Sequence, residues 1–210
     1  MRKILAGIAT TLAVAFTTLL GTSGQALAYP PAPPSVDTAY SELQALQVAD
    51  PLPMDGYSRD RFPHWTNQHD NCNTREVVLQ RDGTDVTVGS DCYPDSGKWY
   101  SVYDKVWLNE APDVSIDHMV PLAEAWRSGA QRWDDAKRSL FANDLDHGQL
   151  IAVSISSNSS KGDQDPSKWR PGNTEVWCDY ARWWIDVKYQ WQLTATDAEK
   201  SALYDMMATC

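Results

Sequence analysis

The chain has 210 residues with 18 Lys and Arg against 28 Asp and Glu, a net charge of −10. That acidity excludes a general polyanion-binding protein, which would need excess cationic charge to meet phosphates, but it leaves open a site whose sign is reversed locally by a bound cation. Ten Trp and nine Tyr supply the apolar bulk for one packed domain and exclude a disordered polymer.

Arg2 and Lys3, the uncharged apolar run from Ile4 to Leu20 and the Ala26-Leu27-Ala28 triplet read together as a secretory signal peptide cut after Ala28. A membrane anchor is the weaker reading, because Thr and Gly break a run already marginal for the ~20 residues of a span. No later segment is long and apolar enough to cross a bilayer. The mature chain is therefore expected outside the cell, and loss of the two positive charges of Arg2 and Lys3 takes its net charge from −10 to −12. It divides into a proline-rich lead with a short helix over 29–56 and one domain over 57–210.

Tyr29 to Val36 is extended and mobile by composition. Leu43, Leu46 and Val48, with Asp37 as a cap, give a short helix over Asp37 to Val48, ended by Pro51 and Pro53. Tyr57 to Trp65 is irregular and aromatic. His64 and His69 follow in loop sequence, where surface or packed histidines are commoner than metal ligands. Glu76 to Val88 reads as a hairpin turning at Asp82-Gly83, with Cys72 and Cys92 flanking it almost symmetrically. Arg75 stands at its start and offers a planar donor fork, either to a phosphate or to a neighbouring acid. Trp99 to Trp107 is a strand-like aromatic run, read as core or interface before a nucleic-acid stacking platform.

Val114-Ser115-Ile116 alternates like a strand and runs into Asp117-His118. Pro121 then removes a ladder donor, so regular pairing is expected to stop nearby and let both side chains reach one site. A carboxylate can hold a hard cation, and a neutral imidazole beside it can take a proton from water. Leu122 to Ala130 is helical and stops at Ser128-Gly129, with Glu124 on it, supporting a metal or facing water. Trp133, Ala136, Leu140 and Phe141 continue at helical spacing. Asn143 to Gly148 is a loop carrying His147, which reads as a surface residue. Gln149 to Ile155 is a buried apolar run, helix or strand. Ser156 to Asp163 is polar and contains Asn158 and Lys161. Glu175 to Trp191 is a long helix with one aromatic stripe, and Thr196-x-x-Glu199 caps a final helix. Cys178 and Cys210 lie symmetrically about Thr194 between these last two helices. An even cysteine count without C-x₂-C spacing favours two disulfides, Cys72–Cys92 and Cys178–Cys210, over a Cys₄ zinc site.

Asp117-His118-Met119-Val120-Pro121-Leu122 through Trp126, Ser128-Gly129-Ala130, Phe141 to Asp144 and Ser157 to Asp163 together resemble the HNH endonuclease superfamily, the ββα-metal nucleases. The closest likeness is to secreted bacterial HNH family proteins that open on Asp-His. Asp165-Pro166, Trp169 and Cys178-x-Tyr180 extend the resemblance, which covers about Cys72 to Cys210. It implies an α+β fold: a ββα-metal (HNH-like) core with an N-terminal hairpin and a C-terminal helix pair, stapled by the two disulfides. It implies Asp117 and Asn158 as metal ligands and His118 as general base. Asn143 or Gln149 would occupy the middle position that orients the base, Asn143 being preferred. Asn in place of the more usual final His is a departure. Oxygen ligands on both sides favour Mg²⁺ or Mn²⁺. Lys161 or Arg75 would neutralise flanking phosphates. The expected function is a monomeric, secreted, metal-dependent endonuclease cutting DNA, with RNA as a second substrate, and leaving 5′-phosphate and 3′-hydroxyl ends. A phosphatase using the same pair is one rival. A Trp-rich binding module for cell-wall glycan or protein is the other, and it requires an exposed aromatic surface.

Overall fold

The computed structural model describes residues 30–210, so the signal-peptide reading lies outside the described residues. Helix α1 (Val36–Ala45) is capped by Ser35, whose hydroxyl accepts from the Thr38 amide, so the start falls just before the expected Asp37. The proline lead is tied down, against the expectation of a mobile arm. The Pro31 carbonyl accepts from Trp183 Nε1 at 2.7 Å and the Pro34 carbonyl from Arg182 at 2.9 Å.

Strands β1 (Asn67–His69) and β2 (Cys72–Asn73) form a small antiparallel pair. The hairpin expected over Glu76 to Val88 is absent. In its place α2 (Thr74–Asp82) leads into β3 (Gly83–Val88). A reciprocal capping box decides it: Asn73 accepts from the Glu76 amide and Glu76 accepts from the Asn73 amide. Val78 and Leu79 are then buried on one helix face. β3 pairs with β4 (Pro94–Ser101), and β4 with β5 (Val106–Leu108), as an antiparallel meander. The aromatic run is thus two strands and a turn.

β6 (Val114–His118) pairs with β7 (Leu150–Ser154) in unbroken antiparallel register from Val114↔Ser154 to His118↔Leu150. Between them lie α3 (Leu122–Arg127) and α4 (Asp135–Ala142); immediately after them comes α5 (Ile155–Lys161), which packs on both strands. The buried face of α4 carries Arg138, Phe141 and Ala142; Leu140 is exposed, contrary to the assigned stripe. Helices α6 (Trp177–Gln190) and α7 (Asp197–Met207) pack on each other and on α1. The fold is therefore mixed α and β with seven α-helices among the described residues, and both expected disulfides, Cys72–Cys92 and Cys178–Cys210, are present.

Strand alternation splits the interior in two. Val114 and Ile116, with Leu150 and Ala152, face Val78, Leu79 and Trp99. Ile151 and Val153 face the larger cluster built from α1, α3, α6 and α7. The outer edge of β7 is closed by α2: the Asp82 carboxylate accepts from the Ala152 amide at 2.9 Å. Of the ten Trp, Trp107 is the one exposed.

Candidate functional site

Because β6 stays regular to its end, Asp117 and His118 leave it on opposite sides. The pairing ends just short of Pro121, as expected, after further contacts at Met119 and Val120. The Met119 amide donates to the Gln149 carbonyl, and the Gln149 side chain both accepts from the Val120 amide and donates to the Val120 carbonyl, each at 3.0 Å. Gln149, fully buried, thus acts as one more rung of the ladder, and its amide is not available to orient a base.

On one side, α5 lies across β6 so that its Asn158 and Lys161, one turn apart, reach Ser115 and Asp117. Asn158 Nδ2 donates to Ser115 Oγ at 2.6 Å. Lys161 Nζ donates to both Asp117 oxygens, at 2.9 and 2.8 Å, and to the His118 carbonyl at 2.8 Å. The Tyr103 hydroxyl adds a further bond to Asp117 Oδ2 at 2.8 Å. Lys161 is 0% exposed, which corrects its reading as a solvated loop lysine or a surface phosphate contact. Burial pushes the Asp117 carboxyl up and the Lys161 ammonium down, and the mutual attraction of the two opposes both shifts.

On the other side, His118 is stacked under Trp65, with centroids 5.6 Å apart and planes inclined at 20°, and edge-on to His64 at 5.9 Å. Trp65 adopts φ 58°, a left-handed conformation costly for a bulky residue, and this places the indole over the imidazole. A ring nitrogen of His118, Nε2, lies 2.9 Å from the Ala142 carbonyl. A carbonyl can only accept, so Nε2 carries the proton and Nδ1 is left with its lone pair. Burial lowers the His118 pKa to about 3, against the raising effect of the Ala142 carbonyl, so the ring is neutral at ordinary pH.

The Ala142 carbonyl is fixed by its neighbour. Asn143 Oδ1 accepts from the Thr66 amide at 3.0 Å and the Thr74 hydroxyl at 2.6 Å. Its Nδ2 donates to the Pro63 carbonyl at 2.8 Å and the Ser139 carbonyl at 2.7 Å. Asn143 therefore ties the Trp65 segment, the start of α2 and the end of α4 into one body.

Asp117, His118 and Asn158 line a single polar cavity of about 60 Å³, together with Arg59, Pro121 and Leu122. Among the described residues no three His, Cys, Asp or Glu side chains cluster as a closed metal cage. The donors here suit a hard cation held through few protein oxygens. With Nδ2 engaged, Asn158 has its amide oxygen free of recorded partners among the described residues, and Asp117 Oδ1 accepts only from Lys161. Two such oxygens with water and phosphate completing the shell is how Mg²⁺ is commonly bound. Such an ion would share Asp117 with the Lys161 ammonium.

The remaining candidates lie elsewhere. Arg75 donates to the carbonyls of Ala111 and Val114, at 3.3 and 3.0 Å, and so braces the entry to β6; the phosphate contact assigned to it is corrected accordingly. Glu124 neither faces water nor supports the cavity. It is buried with Lys188 (3.0 Å), Ser128 (2.8 Å) and Arg127 (3.1 Å), and Lys188 also holds Glu199. His147 binds Asp144 at 2.8 Å, and exposed His69 lies 3.7 Å from Asp70. Sequence reasoning missed Arg59, Tyr103 and Trp65. Arg59 and Trp65 lie in an aromatic stretch without periodicity and Tyr103 in a strand-like aromatic run, and neither pattern says what such residues cover.

An uncharacterized secreted protein of Arthroderma benhamiae (strain ATCC MYA-4681 / CBS 112371) is 52% identical over 181 residues, covering 86% of this chain and 89% of that protein. No solved structure matches the chain. Residues 69–206, which include Asp117, His118, Asn143 and Asn158, match the family model described as GmrSD restriction endonucleases, C-terminal domain, and the chain belongs to that family of nuclease-type domains.

Proposed function

We propose that the protein is a secreted, metal-dependent endonuclease that hydrolyses phosphodiester bonds of DNA, and of RNA as a second substrate, on an HNH-type ββα site. One observation carries the reading: Asp117, His118 and Asn158 border one small polar cavity at the end of β6, with α5 laid across β6 and β7. The restriction-endonuclease family supports nuclease chemistry, and the name of the fungal relative supports export.

In this reading His118 is the general base. Its tautomer is set by the Ala142 carbonyl, and Nδ1 takes the proton of a water attacking the phosphorus in line. Trp65 holds the ring at one angle and excludes bulk water from one face. An anionic phosphate in the cavity raises the depressed imidazole pKa toward the working range. Asp117 and Asn158 hold the divalent cation, Mg²⁺ or Mn²⁺, which when bound supplies charge stabilisation to the phosphorane and the leaving oxygen. Lys161 and Tyr103 fix the Asp117 carboxylate. Asn143 orients the base through the backbone it anchors. That nine of the ten Trp are buried or half-buried weakens the binding-module alternative, since an aromatic platform needs exposed rings and Trp107 alone is exposed.

The test is plasmid incubated with the purified mature chain, with Mg²⁺ or Mn²⁺ and with excess chelator, beside His118→Ala. Nicking and linearisation that require the metal and His118 are expected. Cleavage unchanged in His118→Ala, or unchanged in chelator, refutes the assigned chemistry.

A further inference from the structure

Arg59 opens a short 3-10 turn, Arg59–Arg61, in a segment that precedes the family-matched residues 69–206. Its side chain is exposed, and its guanidinium makes no hydrogen bond or ion pair among the described residues. It lines the catalytic cavity and also the shallower groove of about 240 Å³ that continues from it past Tyr57, Asn158 and Asp163. Its charge is felt at both Asp117 and His118.

The other cations nearby are engaged. Lys161 is buried on Asp117, Arg127 pairs with Glu124 and Asp163, and Arg61 lies 3.5 Å from Asp135. The base of Arg59 is nevertheless rigid. Ser58 accepts from the Asp60 amide at 3.2 Å, the Arg61 carbonyl accepts from buried Arg138 at 3.0 Å, and Phe62 is fully buried beside them. An exposed, unpaired guanidinium on an anchored turn, lining a groove that runs into the cavity beside His118, is placed to meet an anion. In a chain of net charge −10 the attraction for a polyanion has to be local.

We propose that Arg59 binds a phosphate of the nucleic-acid strand next to the scissile one, and that the groove along Tyr57 and Asn158 seats that strand. This rests on the nuclease reading above. The phosphate contact then comes from upstream of the family-matched segment, in place of the Lys161 and Arg75 that the sequence offered.

The experiment uses the mature chain, a plasmid for cleavage with Mg²⁺, and a short duplex DNA for equilibrium binding to His118→Ala over a series of salt concentrations. Arg59→Ala is expected to raise KM about tenfold with kcat changed far less, and to lower the slope of log affinity against log salt by about one. Arg59→Lys, which keeps the charge but not the fork, is expected to restore the salt slope and only part of KM. The thermal midpoint of each variant is expected to stay at the wild-type value, since an exposed unpaired side chain supports no fold. Wild-type cleavage with KM and salt slope unchanged in Arg59→Ala overturns the proposal and leaves the nuclease reading standing. Plasmid left intact by the wild type with both metals overturns both.

Discussion

Replacing Asn143 with Asp changes almost nothing in size but reverses the sense of half its bonds. Oδ1 keeps its two donors, Thr66 N and Thr74 Oγ1. The atom replacing Nδ2 becomes an oxygen facing the carbonyls of Pro63 and Ser139, now 2.8 and 2.7 Å away. Two hydrogen bonds of about 1 kcal/mol each are lost and a charge is set against two acceptors, for a total of about 3 kcal/mol at neutral pH. A proton on the new carboxyl would restore one donor, so its folded-state pKa must rise above the unfolded value of ~3.9. A group raised in this way is best tolerated at low pH, and stability is lost as pH climbs through its folded pKa. Urea unfolding of the variant and wild type at pH 4 and pH 7 is therefore expected to show a smaller gap at pH 4. The His118 contribution is common to both proteins and cancels. Cleavage by the variant is expected to fall because the Ala142 carbonyl and the Trp65 wall lose their shared anchor. Equal stability of the two proteins at pH 7 would refute the donor assignment at Nδ2, and with it the role of Asn143 as an anchor.

His118 has a folded pKa of about 3, below the ordinary value of 6.5, so the folded state resists protonation, and stability falls as pH drops from about 6.5 to about 3. The slope from this group reaches about 1.4 kcal/mol per pH unit. His118→Gln is expected to flatten the curve in metal-free unfolding series, and an unchanged slope would refute the burial argument. Lys188→Met strands Glu199 in the core without its counter-charge, while Glu124 keeps Arg127, and is expected to cost about 3 kcal/mol by chemical denaturation. Adding Glu199→Gln should recover part of that, and a further loss would sink the account. Glu42, with one carboxyl oxygen buried and unpartnered, has its pKa raised to about 7 by desolvation and then by Asp186. Its stabilising contribution is therefore full at low pH and lost as pH rises through about 7. Glu42→Gln is expected to stabilise by about 1 kcal/mol at pH 8, after allowance for solvent screening, and by less at pH 5.

Elements with a strong local signature could be read directly. β6, α3, α6 and the Thr196–Glu199 cap were legible because periodicity and capping chemistry agreed. The disulfides followed from spacing, although Cys72–Cys92 was reached through a hairpin that does not exist. There the Asp82-Gly83 turn signal and a run of Val and Leu outweighed the Asn73-x-x-Glu76 box, which was in plain view and decides for the helix. The fates of Lys161, Glu124 and Arg75 were not legible. A charge is buried only if a partner awaits it, and those partners lie far along the chain: Asp117 is 44 residues from Lys161 and Glu124 is 64 from Lys188. The role of Gln149 was not legible either, since nothing local reveals a side chain standing in for backbone.

The family-matched segment, 69–206, is shorter at both ends than the folded body. Expression of 69–206 alone would strip away Arg59, His64 and Trp65, uncover the imidazole, and remove the helix that lies on α6 and α7. It would also discard Cys210 and leave Cys178 as an unpaired thiol in an oxidising compartment, open to mispairing between molecules. A failed cleavage assay on such a truncated piece would report on the cloning boundary and not on the chemistry of the whole chain.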